Sequence, residues 1–70
     1  MTFGQKIELL RKQENMTLRK LAEKSGISYS LIQSMIKDER VPTQEAVHSL
    51  ARALHYEHPE ELIQLAGYGS

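Results

Sequence analysis

The chain has no cysteine and no tryptophan, and only two prolines and one phenylalanine among its 70 residues. Without cysteine, disulfide staples and thiolate-ligated zinc are excluded. A chain this short must then hold together on one small apolar core, near the lower size at which domains fold unaided. No apolar run approaches membrane-spanning length, and the N-terminus lacks the charged and apolar regions of a secretory signal. A soluble cytoplasmic protein is the expectation. Polar–apolar alternation of the kind strands need is also missing. No repeat, low-complexity tract or second-domain boundary is visible, so residues 1–70 read as one all-α domain.

An excess of charge of one sign is lacking too. Nine Lys and Arg balance nine Asp and Glu, for a formal net charge of zero. Taken whole, that argues against nucleic acid. The zero conceals a division. Residues 1–37 carry Lys6, Arg11, Lys12, Arg19, Lys20, Lys24 and Lys37 against Glu8, Glu14 and Glu23, a net +4. Residues 38–70 carry Arg40 and Arg52 against Asp38, Glu39, Glu45, Glu57, Glu60 and Glu61, a net −4. Phosphate is attracted by the local face rather than by the chain total. Lysines that merely solvate helix surfaces would give the same count, so the basic half draws its meaning from the motif inside it.

What is present is helical periodicity, in five segments. Phe3, Ile7 and Leu10 fall at helical spacing in the first, about Phe3 to Glu14, which Asn15 and Met16 break. Thr17 is the expected cap of the second, about Leu18 to Ser25, and Ser28 of the third, about Tyr29 to Lys37. The loop from Asp38 to Pro42 follows, and Thr43 caps the fourth, about Gln44 to Leu54, striped by Val47, Leu50, Ala51 and Leu54. Pro59 opens the fifth, which runs to Gly67, with Glu60 and Glu61 at its positive dipole end. The expected core is Ile7, Leu10, Leu21, Ala22, Ile27, Ile32, Met35, Val47, Leu50 and Leu54.

The stretch Thr17–Lys37, TLRKLAEKSGISYSLIQSMIK, is the most informative. Its spacing fits two short helices held at a fixed angle by a three- to four-residue turn. Ala22 is small where the second helix crosses. Gly26 supplies the positive φ that a sharp exit demands. Leu21, Ile27, Ile32 and Met35 fill the angle between the helices. This is the helix-turn-helix layout, in which the second helix enters the major groove of DNA.

At about 100° per residue, Tyr29, Gln33, Lys37, Ser30 and Ser34 occupy one arc of that helix, and Leu31, Met35, Ile32 and Ile36 the other. An ordinary surface helix gives the same division. The polar arc nevertheless contains no acid to repel phosphate.

The segment LRKLAEKSGISYSLIQSMIKDERVPTQEAVHSLARAL resembles the phage-repressor and Cro-like helix-turn-helix family, also called the xenobiotic-response-element family. The resemblance covers about residues 3–66, and LAEKSGIS is its most specific part. It implies a compact five-helix, lambda-repressor-like domain whose second and third helices form the DNA-binding pair. Two departures stand out. Leu18 opens the first motif helix where the family often has a phosphate-binding Gln. Ile36-Lys37-Asp38 closes the recognition helix where Glu-x-Gly is common, which makes a less comfortable helix end.

Roles follow from position. Tyr29 and Ser30, in the first turn, should meet base edges, and Ser34 the next bases; the family resemblance supports all three. Gln33 could make a bidentate contact to adenine or brace a phosphate. Thr17, Arg19 and Lys37 are expected at phosphates, with Arg40 and Thr43 on the opposite flank of the groove.

Other polar residues carry no chemistry of their own. His48, His55 and His58, with Glu57, lack the paired spacing of a metal site. Ser28, Ser30 and Ser34 have no His or acid at an activating distance in sequence, and Glu60 and Glu61 serve the helix dipole. Neither enzyme activity nor a cofactor or metal is expected.

The expected function is sequence-specific binding of double-stranded DNA by a bacterial or phage transcription regulator, a repressor in the first instance. The alternative is a protein-interaction module, antitoxin-like or antirepressor-binding, that docks a partner through the acidic C-terminal half. Regulators of this family act on palindromic operators as homodimers. Leu62, Ile63, Leu65, Ala66 and Tyr68 form the apolar surface expected for pairing, with packing against the first and fourth helices as the ordinary alternative. Longer relatives continue beyond the position of Gly67 into an oligomerisation or sensing domain. Both a short repressor and an N-terminal domain of a longer regulator therefore fit.

Overall fold

Four of the five helices begin on a hydroxyl. In the computed structural model, which describes residues 1–69, α1 spans Phe3–Gln13, α2 Leu18–Ser25, α3 Tyr29–Ile36, α4 Gln44–Ala53 and α5 Pro59–Leu65. Thr2, Thr17, Ser28 and Thr43 are the N-caps of the first four, each side-chain oxygen accepting a backbone N–H of its helix's first turn. At α1, Gln5 returns the bond to the Thr2 N–H, a capping box that sequence patterning had left unread. α5 has no side-chain cap and starts on Pro59, with Glu60 and Glu61 in its first turn.

Four of the five C-terminal ends share one closure, α2 being the exception. After α1, the Met16 N–H donates to the Arg11 carbonyl and the Asn15 N–H to the Lys12 carbonyl. The same pair of bonds recurs at Asp38 and Glu39, at His55 and Tyr56, and at Gly67 and Tyr68. The first residue of each pair is left-handed, with φ of 53° at Asn15, 59° at Asp38, 57° at His55 and 101° at Gly67. The helices expected to reach Glu14, Lys37, Leu54 and Gly67 accordingly stop one or two residues short.

α1 packs on α3 and α5, α2 on α3 and α4, and α4 on α5. Ile7, Leu10, Leu21, Ile32, Met35, Val47, Leu50 and Leu54 are buried as periodicity requires. Ala22 and Ile27 are corrections: both are only half-buried, because they flank the exposed turn at Gly26. Phe3, Met16, Ala51, Ala53 and Leu62 complete the core. Leu62 is a second correction. It has no exposed surface and cannot belong to a pairing face. Leu65 and Tyr68 remain exposed, and the Tyr68 hydroxyl donates to the Pro42 carbonyl at 2.8 Å, tying the tail to the loop after α3.

The α1–α3 contact sets the position of α3. Gly4 lies where the end of α3 crosses, and a Cβ there would fall on the Ile36 carbonyl group, with the Met35 carbonyl oxygen 2.9 Å away. One Asp38 oxygen accepts the Gly4 N–H at 2.9 Å and the other accepts the Thr2 hydroxyl at 2.7 Å. The residue that sequence comparison marks as an awkward helix end thus caps a second helix. A left-handed L-residue costs roughly 1–2 kcal/mol; two hydrogen bonds, and an anion at a helix N-terminus, offset it.

Arg11 fixes the α1–α2 connection. Its Nε and Nη2 hold the two Glu8 carboxylate oxygens at 3.0 and 2.9 Å, while Nη1 donates to the Met16 carbonyl at 2.7 Å. The hydrogen bond from Arg11 holds the Glu8 carboxyl below its ordinary value of 4.5. A lowered folded-state pKa stabilises the fold at pH above the unfolded value, and that contribution is lost as pH falls through the folded one. Glu8→Gln should therefore cost about 1–2 kcal/mol at pH 7. The gap to the parent should stay level down to about pH 5 and narrow below 4.5. Urea titrations at a series of pH values test this; a gap that persists unchanged at pH 3 contradicts it.

Candidate nucleic-acid interface

With α1 on one side of α3 and α2 on another, the third side of the helix faces outward. Ile32 and Met35 point into the core, and Leu31 and Ile36 are half-buried at its edges. Ser30 and Lys37 are exposed, while Tyr29, Gln33 and Ser34 are half-buried. The five polar residues grouped by the helical projection thus lie on the side away from the core.

Ser30 and Ser34 line a shallow cleft of about 310 Å³ together with Ser28, Leu31 and Arg40. The structure therefore joins Arg40, in the loop after α3, to the polar face of the helix. Leu31 and Ser28 are additions to the expected set. Leu31 sits at the border of the two arcs, next to Ser34, so a two-class division of the helix hid its exposure; Ser28 had been assigned only as a cap. The Ser34 hydroxyl donates to the Ser30 carbonyl at 3.2 Å. Its lone pairs are left outward, so in this rotamer Ser34 presents an acceptor.

Tyr29 is not free-standing. The Arg19 guanidinium lies over its ring, 4.9 Å from the centroid. These two were expected to act separately, one at a base and one at a phosphate; the structure brings them together across the α2–α3 turn. The turn itself takes the expected form, with Gly26 at φ 74° and its N–H donating to the Ala22 carbonyl.

Thr17 and Thr43 open α2 and α4, and each hydroxyl accepts a backbone N–H at 3.1 Å, from Lys20 and Ala46 respectively. Accepting in this way leaves each O–H able to donate outward. Lys37 and Arg40 are exposed, and among the described residues no carboxylate pairs with either of them or with Arg19. The acid nearest the end of α3 is Asp38, whose two oxygens are turned onto α1. Basic groups near the polar face are thus left unneutralised. The histidines lie elsewhere: His48 is exposed on α4, His55 Nδ1 is 3.2 Å from Glu14, and His58 Nδ1 is 3.4 Å from Glu60.

Compared with known protein families, the chain matches the model described as Helix-turn-helix over residues 7–62. Comparison with the curated proteins and with the solved structures gave no match.

Proposed function

The chain belongs to the helix-turn-helix family, and on that premise we propose that it is a transcription regulator that binds double-stranded DNA with α3 in the major groove. The observation that carries this reading is the outward side of α3. It offers a phenol, hydroxyls, an amide and a lysine, with no acid among them, and among the described residues no carboxylate pairs with Arg19, Lys37 or Arg40. Tyr29, Ser30, Ser34 and Gln33 are the base-reading residues. Thr17, Arg19, Lys37, Arg40 and Thr43 hold the phosphates on either side. As an acceptor, Ser34 favours an exocyclic amine of adenine or cytosine. The regulator is a repressor in the simplest case, since occupying a promoter is enough to silence it.

One recognition helix covers only a few base pairs, so useful specificity calls for two copies on a palindrome. The longest dimension of the domain is 32 Å. A two-fold pair on such a site has to present its two α3 helices about one turn, 34–36 Å, apart, a spacing of the same order as the domain itself. With Leu62 in the core, the pairing surface reduces to Leu65, Tyr68 and the half-buried Ile63 and Ala66.

Binding-site selection on random duplexes, followed by salt titration, tests the reading. Removing Tyr29, Ser30 or Ser34 should alter the selected sequence, at about 1–3 kcal/mol for a good base contact. Lys37→Gln should weaken all duplexes alike and lower the salt slope by roughly one charge. The parent protein selecting no sequence would defeat the proposal and favour a protein partner on the acidic half, residues 38–70. One protomer saturating the palindrome at full affinity would remove the dimer.

A further inference from the structure

We propose that Arg19 is a positioning residue for Tyr29, so that the two side chains enter the groove as one stacked unit. This rests on the DNA-binding reading above. The two residues belong to different helices, Arg19 in the first turn of α2 and Tyr29 at the start of α3. Their approach to 4.9 Å is therefore a consequence of the angle that the Gly26 turn sets.

Arg19 makes no ion pair within its own helix. Glu23 is four residues further along α2, at the spacing that suits a helical ion pair. The Glu23 carboxylate instead lies 3.8 Å from the Lys20 ammonium, and Arg19 lies over the tyrosine ring.

Stacking and phosphate binding are compatible in one side chain. A guanidinium offers its face to the ring while its five N–H donors point outward in its plane. Over the ring, and paired among the described residues with no carboxylate, Arg19 keeps its charge available to a phosphate. What changes is Tyr29. A tyrosine on the first turn of an exposed helix has several staggered rotamers open to it. Held beneath a guanidinium, it is confined to one of them before DNA arrives, and its hydroxyl is aimed at one base step. Lysine at position 19 would keep the charge but has no planar face to hold the ring. That difference separates positioning from simple phosphate contact.

Two measurements test the pairing. In the free protein, NMR should show the Arg19 side-chain protons shifted upfield by the ring current of Tyr29. The shift should survive Tyr29→Phe and vanish in Tyr29→Ala. Binding-site selection is then run on the parent, Arg19→Lys, Arg19→Gln, Tyr29→Ala and the Arg19→Lys/Tyr29→Ala double variant. The quantity compared is the ratio of bases selected at each position, which loss of a phosphate contact leaves alone. Arg19→Lys should flatten the preference at the same step that Tyr29→Ala flattens, by about two- to fivefold, and the double variant should flatten it no further. The proposal is overturned if the ring-current shift is absent. It is equally overturned if Arg19→Lys selects the parental sequence at full strength while Arg19→Gln weakens every duplex alike, for Arg19 is then a phosphate contact only. A parent protein that selects no sequence fails at the earlier step, and takes this proposal down with the DNA-binding reading.

Discussion

Ile32→Ala should lower the stability of the fold by about 2–5 kcal/mol, the range for emptying a buried aliphatic site. Ile32 has no exposed surface and lies on the inner side of α3, in the same cluster as Leu21, Met35 and Val47. The size of the loss matters because little stands in reserve. At roughly 0.05–0.15 kcal/mol per residue, a chain of this length has on the order of 4–10 kcal/mol in total. Each kilocalorie should move the melting midpoint by about 4–8 °C in so small a domain. Urea denaturation should show an earlier midpoint with an unchanged slope. A loss under about 0.5 kcal/mol, the scale of a surface change, would mean that α3 faces the other way and that its polar residues are not outward.

The second large effect is of opposite sign to what helix propensity suggests. Replacing a helical glycine by alanine ordinarily gains about 1 kcal/mol. At Gly4 the added methyl would strike the Ile36 carbonyl group and crowd the Met35 carbonyl oxygen. Backbone cannot rotate aside as a flexible side chain can, so α1 has to lift away from α3. Gly4→Ala should therefore destabilise the protein by about 1–3 kcal/mol and weaken the two bonds that Asp38 makes to Thr2 and Gly4. A double-mutant cycle separates these contributions. Asp38→Ala should cost measurably less in the Gly4→Ala background than in the parent, because the bonds it removes are already weakened. Equal costs in both backgrounds, or a Gly4→Ala protein more stable than the parent, would show that the crossing has room for a side chain.

Much of this architecture is legible from residue order, and what was missed has a common cause. Thr17, Ser28 and Thr43 could be assigned as caps because capping is a local bond, made within one turn of the same helix. Gly26 was equally readable, since its φ of 74° is a local requirement of the turn. Gly4 was not. Its need for a bare Cα arises from Ile36, thirty-two positions away, and no periodicity within α1 reveals it. Asp38 shows the same limit: judged as a helix end alone it is a poor choice, and only its bonds to Thr2 and Gly4 make sense of it. Met16 was read as a breaker and is buried, because the closing turn of α1 folds it back onto the core. On the polar face, residue types and their arc could be read directly. The neighbours could not, since Arg19 comes over Tyr29, and Arg40 into one cleft with Ser34, only once helices and loop are placed together.

The junction at Asp38 also bears on how the molecule opens. Helix ends are usually the first places to fray, each independently and at little free-energy cost. Here the first turn of α1 and the last turn of α3 share one carboxylate. Releasing Thr2 and Gly4 removes the support of the left-handed residue that closes α3, and loosening that closure draws the carboxylate from α1. The two ends therefore form one cooperative unit, in which the amides of Gly4 and Glu39 should exchange with solvent through a shared opening. The end of α3 inherits its rigidity from the start of the chain.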